Sequence, residues 1–74
     1  MKKSTREYAV GLLTAMMVHD RAERENRTFT EVFSEFRKSD TYESLLDPGT
    51  GLWMNGPDYL SDEYDLELKR SEIQ

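Results

Sequence analysis

The apolar positions fall into three rows with helical spacing, a short fourth group, and one unpatterned cluster. Ala9, Leu12, Leu13 and Met16 recur at the three- and four-residue steps of one helix face. Val10 and Met17 widen that stripe, while Tyr8, Ala15 and Val18 lie beyond it. A stretch apolar almost all round signals burial on several sides. Ser4 and Glu7 have the spacing of a capping box, in which the hydroxyl and the carboxylate each satisfy an amide of the first turn. They start a helix at residue 4, and the charged run Asp20 to Glu25 carries it as a solvated tail to about 25.

Thr28 and Glu31 repeat the capping signal, and Phe29, Val32, Phe33 and Phe36 follow at i, i+3, i+4 and i+7. Arg37 and Lys38 suit the negative end of that helix, which the pattern places over 28–38. Ser39 or Asp40 caps a short third helix over 40–46 that carries Tyr42, Leu45 and Leu46, and Asp47-Pro48-Gly49 stops it. Gly56-Pro57-Asp58 then opens a fourth over about 57–70, with proline at the first position and an acid in the first turn. Its inner row is Leu60, Tyr64 and Leu68, flanked by Tyr59. Between the last two helices, Leu52, Trp53 and Met54 form an apolar cluster that could be extended but has no partner strand. The pattern therefore predicts an all-α fold: one domain over 1–74, a small bundle of three to four helices with a Trp-containing connector.

Length sharpens that picture. A chain of 74 residues has a thin core, and domains of this size commonly add disulfides, metals or self-association. With no cysteine and only His19, association is the route left. Trp53 is expected to tuck beneath the connector and complete the core, the other reading being an exposed binding patch with Leu52 and Met54. Helix 1 carries more apolar surface than its three neighbours can cover, and a second copy of helix 1 would cover the rest. The expectation is a homodimer with Leu13, Met16 and Met17 near the centre of its interface.

Charge divides the chain. Residues 1–38 hold eight Lys/Arg and six Asp/Glu, whereas residues 39–68 hold eight acids and no base. Asp58, Asp62, Glu63, Asp65 and Glu67 make the fourth helix an acidic surface, suited to a basic protein partner or simply solvated. Such a half repels phosphate backbones, which disfavours nucleic acid as a partner. The alternative reading, a regulatory nucleic-acid-binding protein, would use the basic start at Lys2, Lys3 and Arg6.

Catalytic chemistry finds little to build on. Asp20, next to His19 in sequence, points about 100° away on a helix and is poorly placed to orient the ring. No serine sits in a nucleophile elbow and the glycines form no phosphate loop, so the reading is non-enzymatic, with no cofactor and no metal. The apolar run from Tyr8 to Val18 is shorter than the roughly 20 residues of a membrane span and lacks a cleavage site, which predicts no membrane contact and a cytoplasmic location.

The stretch from Leu45 to Leu60, with Asp47-Pro48-Gly49, Leu52-Trp53 and Gly56-Pro57-Asp58-Tyr59, resembles a motif of short uncharacterised bacterial helical proteins. In that domain of unknown function an Asp turn leads to Leu-Trp, then Gly-Pro, an aromatic residue and an acidic helix. The segment Tyr8 to Glu23 is similar to their first helix. Some similar proteins lie in toxin–antitoxin-like gene clusters, so the resemblance implies a small accessory or antitoxin-like protein and brings no site residues with it. Together the readings predict a non-enzymatic interaction protein acting through homodimerisation and its acidic half.

Overall fold

Four α-helices and two single-turn 3₁₀ segments account for most of the chain between residues 4 and 73, which the computed structural model describes. Helix α1 spans Thr5–Glu25, α2 Phe29–Phe36, α3 Asp40–Leu46 and α4 Pro57–Ile73. The 3₁₀ turns, Pro48–Thr50 and Leu52–Met54, lie between α3 and α4. The fold is a small all-α bundle, as the periodicity predicts, with no strand among the described residues.

Local chemistry sets the ends. The Ser4 hydroxyl accepts the Glu7 N–H at 3.1 Å and starts α1. Asn26 closes it in the left-handed conformation (φ 54°, ψ 47°), donating to the Glu23 carbonyl while the Arg27 N–H reaches Ala22. This pair of bonds is a Schellman turn, and asparagine tolerates its backbone better than most residues. Thr28 and Glu31 form the complete capping box of α2. That helix stops at Phe36, not at 38, because Ser39 intervenes. The Ser39 N–H and hydroxyl both donate to the Phe36 carbonyl, and its oxygen accepts the Tyr42 N–H to begin α3. The connector is not extended: Asp47 accepts the Gly49 N–H, Thr50 donates to the Ser44 carbonyl, and Gly51 turns the chain at φ 67°.

The core gathers around Phe36, which is fully buried and meets the rings of Tyr42 and Tyr64 edge-on at 5.4 and 5.0 Å. Edge-to-face contacts of this kind add to the gain from area alone. Val18, Val32, Leu45 and Leu60 close around it, and Leu52 descends from the connector. Trp53 packs against this cluster partly buried, at its edge rather than within it.

The inner face of α1 is rotated from the expected one. It runs through Val10, Leu13, Thr14, Met17, Val18, Arg21 and Ala22, so Leu12 and Met16 point outward. Two polar residues carry the stripe. Thr14 is tolerated inside because its hydroxyl donates to the Val10 carbonyl at 2.8 Å, and Arg21 because its two terminal nitrogens are paired, although its buried Nε has no partner among the described residues. The tail from Asp20 to Glu25 is therefore not wholly solvated. Phe29, expected on the inner face of α2, is exposed and stacks on Phe33. On α4 the inner row continues from Leu60 and Tyr64 to Glu67, leaving Leu68 outside.

Candidate functional site

Helices α1 and α4 meet through Arg21. Its guanidinium, on a side chain 6% exposed, donates to Glu25 at 3.1 Å and to Asp65, and lies 4.8 Å over the Tyr64 ring. Burial works against the charge, but the bonds that Arg21 donates to Asp65 and Glu25 outweigh it and hold Arg21 above its ordinary value. Burial likewise pushes the Tyr64 phenol up. Asp65, read from the sequence as part of an acidic surface, is thus the α4 half of an interhelical ion pair.

Glu67 is also turned to structural use. Its carboxylate accepts the N–H groups of Asp40 at 3.0 Å and Thr41 at 2.8 Å, and the Thr41 hydroxyl at 2.7 Å. It caps α3 from another helix, and Ser39 takes the next amide, so the first turn is fully bonded. Burial raises the Glu67 carboxyl, but those bonds prevail and hold it below the usual carboxylate range. A third device, Arg27, bridges Glu25 and Glu35 across the α1–α2 turn. The bond that Arg27 donates to Glu35 chiefly raises Arg27, and the same bond lowers Glu35.

The remaining predicted acids are placed differently. Among the described residues Asp58, Asp62 and Glu63 make no ion pair and no side-chain hydrogen bond. Asp58 and Asp62 line a groove between α1 and α4 with a volume of about 500 Å³. Met16 and Pro57 form its exposed apolar part, above the buried Met17, and Asp20, Ser61 and Asp65 line it as well. The cation there, Arg24, donates to Asp20 at 3.1 Å and reaches Ser61 of α4 at 3.5 Å.

Of the three residues expected at a dimer centre, Leu13 and Met17 are core residues, Met17 only 2% exposed. The reason is the rotated phase of α1: with Thr14 and Arg21 inside, both fall on the inner face. Met16, 47% exposed, stays on the surface and is joined there by Leu12 (50%) and Tyr8 (68%). The three are spaced i, i+4 and i+8, one continuous row.

His19 is exposed and pairs with Glu23 one turn on. Of the basic start, Arg6 donates to the Leu46 carbonyl at 3.2 Å, whereas Lys2 and Lys3 lie outside the described residues. Among the described residues no three His, Asp or Glu side chains converge as a metal site would require, and no helix is long and apolar enough to cross a membrane.

Sequence reasoning missed Arg21 and Glu67 as organising residues. Spacing held the signal: Arg21 continues the steps of Val10, Thr14 and Met17, and Glu67 continues those of Leu60 and Tyr64. No protein-family model matches the chain, and neither a curated protein nor a solved structure matches it.

Proposed function

We propose that the chain is a small non-enzymatic accessory protein, antitoxin-like in kind, that acts by protein–protein contact and pairs with a second copy along the outer face of α1. The observation that carries this reading is the exposed row Tyr8, Leu12 and Met16 on a helix whose opposite face is already filled by the core. A row of large apolar side chains held at one helix face is a surface of the kind that marks protein contacts.

The row is suited to itself. Two copies of α1 crossing antiparallel, with the twofold axis at Leu12, set Met16 of each copy against Tyr8 of the other. The thioether–ring contacts that result are favourable, and a twofold interface repeats them. A thin core gains from the added burial.

Size exclusion with light scattering tests the proposal. The wild type is expected at twice the chain mass, and Leu12→Glu at the monomer mass with unchanged helical circular dichroism. Leu12 is the residue to change, because Met17→Glu would disrupt the core instead. A wild type that stays monomeric at high concentration refutes the self-pairing.

A further inference from the structure

We infer that the groove between α1 and α4 is the docking site for a basic amphipathic helix of a different protein. The inference rests on the reading of the chain as an interaction protein, but not on its self-pairing.

Charge points to the partner's sign. Asp20, Asp58 and Asp62 line the groove, and the cation among them, Arg24, is already bonded to Asp20 and Ser61. Asp58 and Asp62 are one turn apart on α4, a like-charge spacing that weakens a helix. Asp58 is compensated by the positive end of α4, where it occupies the first turn. Asp62 lies beyond the reach of that effect and has no cation of its own among the described residues. A lysine or arginine arriving between the two relieves both at once. A second copy of this acidic chain is less suited, since net charge −5 repels its like at this face.

The groove's apolar part points to amphipathicity. Met16 is half-exposed beside Pro57, and methionine adapts its flexible thioether to varied apolar side chains. A simple polycation would satisfy the acids and leave this surface wet.

The walls point to a helix. Both are α-helices whose central N–H and C=O groups bond internally, so an extended peptide finds no backbone ladder to join. A helix brings its own backbone bonds and lays one face of side chains into the groove. The volume, about 500 Å³, admits such a row of side chains and not the helix itself.

The test uses the full chain and a synthetic peptide of leucine and lysine, about four turns long, patterned for one apolar face. Calorimetric titration at about 0.15 M salt keeps long-range attraction screened. The peptide is expected to bind, its glutamate counterpart not to bind, and a scrambled peptide of the same composition to bind at least about tenfold more weakly. Asp58→Asn with Asp62→Asn should weaken binding about tenfold, while Glu43→Gln with Glu72→Gln, equal in charge but elsewhere, should leave it within about twofold. The Leu12→Glu variant, in which self-pairing no longer covers Met16, should bind at least as tightly as the wild type. Equal weakening by both double variants, or equal binding of the scrambled peptide, would reduce the effect to general charge attraction and overturn the inference. So would no binding at all, or loss of binding in Leu12→Glu, which would move the contact to the outer row of α1.

Discussion

Replacing Glu67 by alanine removes the group that opens α3, although the two helices are 26 residues apart at this contact. The Asp40 N–H is exposed and can turn to water. Thr41 is buried, so its hydroxyl and N–H lose their acceptor where water is scarce. Stranding a buried polar group costs about 1–3 kcal/mol, and losing a helix cap about 0.5–2 kcal/mol. The two overlap, which puts Glu67→Ala at about 2–3 kcal/mol and Glu67→Gln, which keeps one acceptor, at about 1 kcal/mol. For a domain of this size the larger loss lowers Tm by roughly 10–20 °C. The sign of the pH dependence follows from the depressed carboxyl. Its stabilisation is complete above the unfolded-chain value of about 4.3 and is lost as pH falls through the lower folded value. Thermal and urea unfolding should therefore separate wild type from variant at neutral pH and bring them together in strong acid. Glu63→Gln, on the same helix without a partner among the described residues, should stay within about 0.5 kcal/mol of wild type. A Glu67→Ala variant equally close to wild type at neutral pH would refute the cap.

Other changes probe the packing. Phe36→Ala should cost about 3–5 kcal/mol and Trp53→Ala about 2 kcal/mol, since only the first is fully enclosed; equal losses in urea unfolding would contradict their placement. Arg21→Met should leave stability within about 1 kcal/mol or raise it, because removing a buried ion removes its desolvation cost; a much larger loss would mean that the pairs with Asp65 and Glu25 are net stabilising. Asn26→Gly should be neutral or stabilising and Asn26→Val destabilising by about 1–2 kcal/mol, as read by chemical denaturation, because only glycine accepts the left-handed backbone freely.

The parts legible in the sequence are those written locally. Ser4, Thr28 and Ser39 mark their helix starts through bonds to residues three positions on, and Asp47-Pro48-Gly49 turns where it should. The phase of α1 was not legible by hydrophobicity, since Leu12 and Met16 are as apolar as Leu13 and Met17. What decides between the faces is whether Thr14 and Arg21 find partners, and Asp65, which pairs with Arg21, lies 44 residues from it. Glu67 escaped for the same reason. A charge among charges looks solvated until α3 is brought to it. The predicted interface lost Leu13 and Met17 to that error of phase, and the predicted acidic surface lost Asp65 and Glu67 to bonds that only the folded chain makes.

The turn that joins α1 to α2 has a kinetic consequence. Its Schellman closure, its capping box and the Arg27 bridge all link residues close in sequence, so closing it loses little chain entropy. Docking of α4 instead waits on Arg21–Asp65 and Glu67–Thr41, contacts that must close long stretches of chain first. The hairpin of α1 and α2 is thus the natural nucleus. Substitutions at Thr28 or Val32 should slow refolding, and substitutions at Leu60 or Glu67 should leave refolding alone and hasten unfolding, a division that stopped-flow chevrons would display arm by arm.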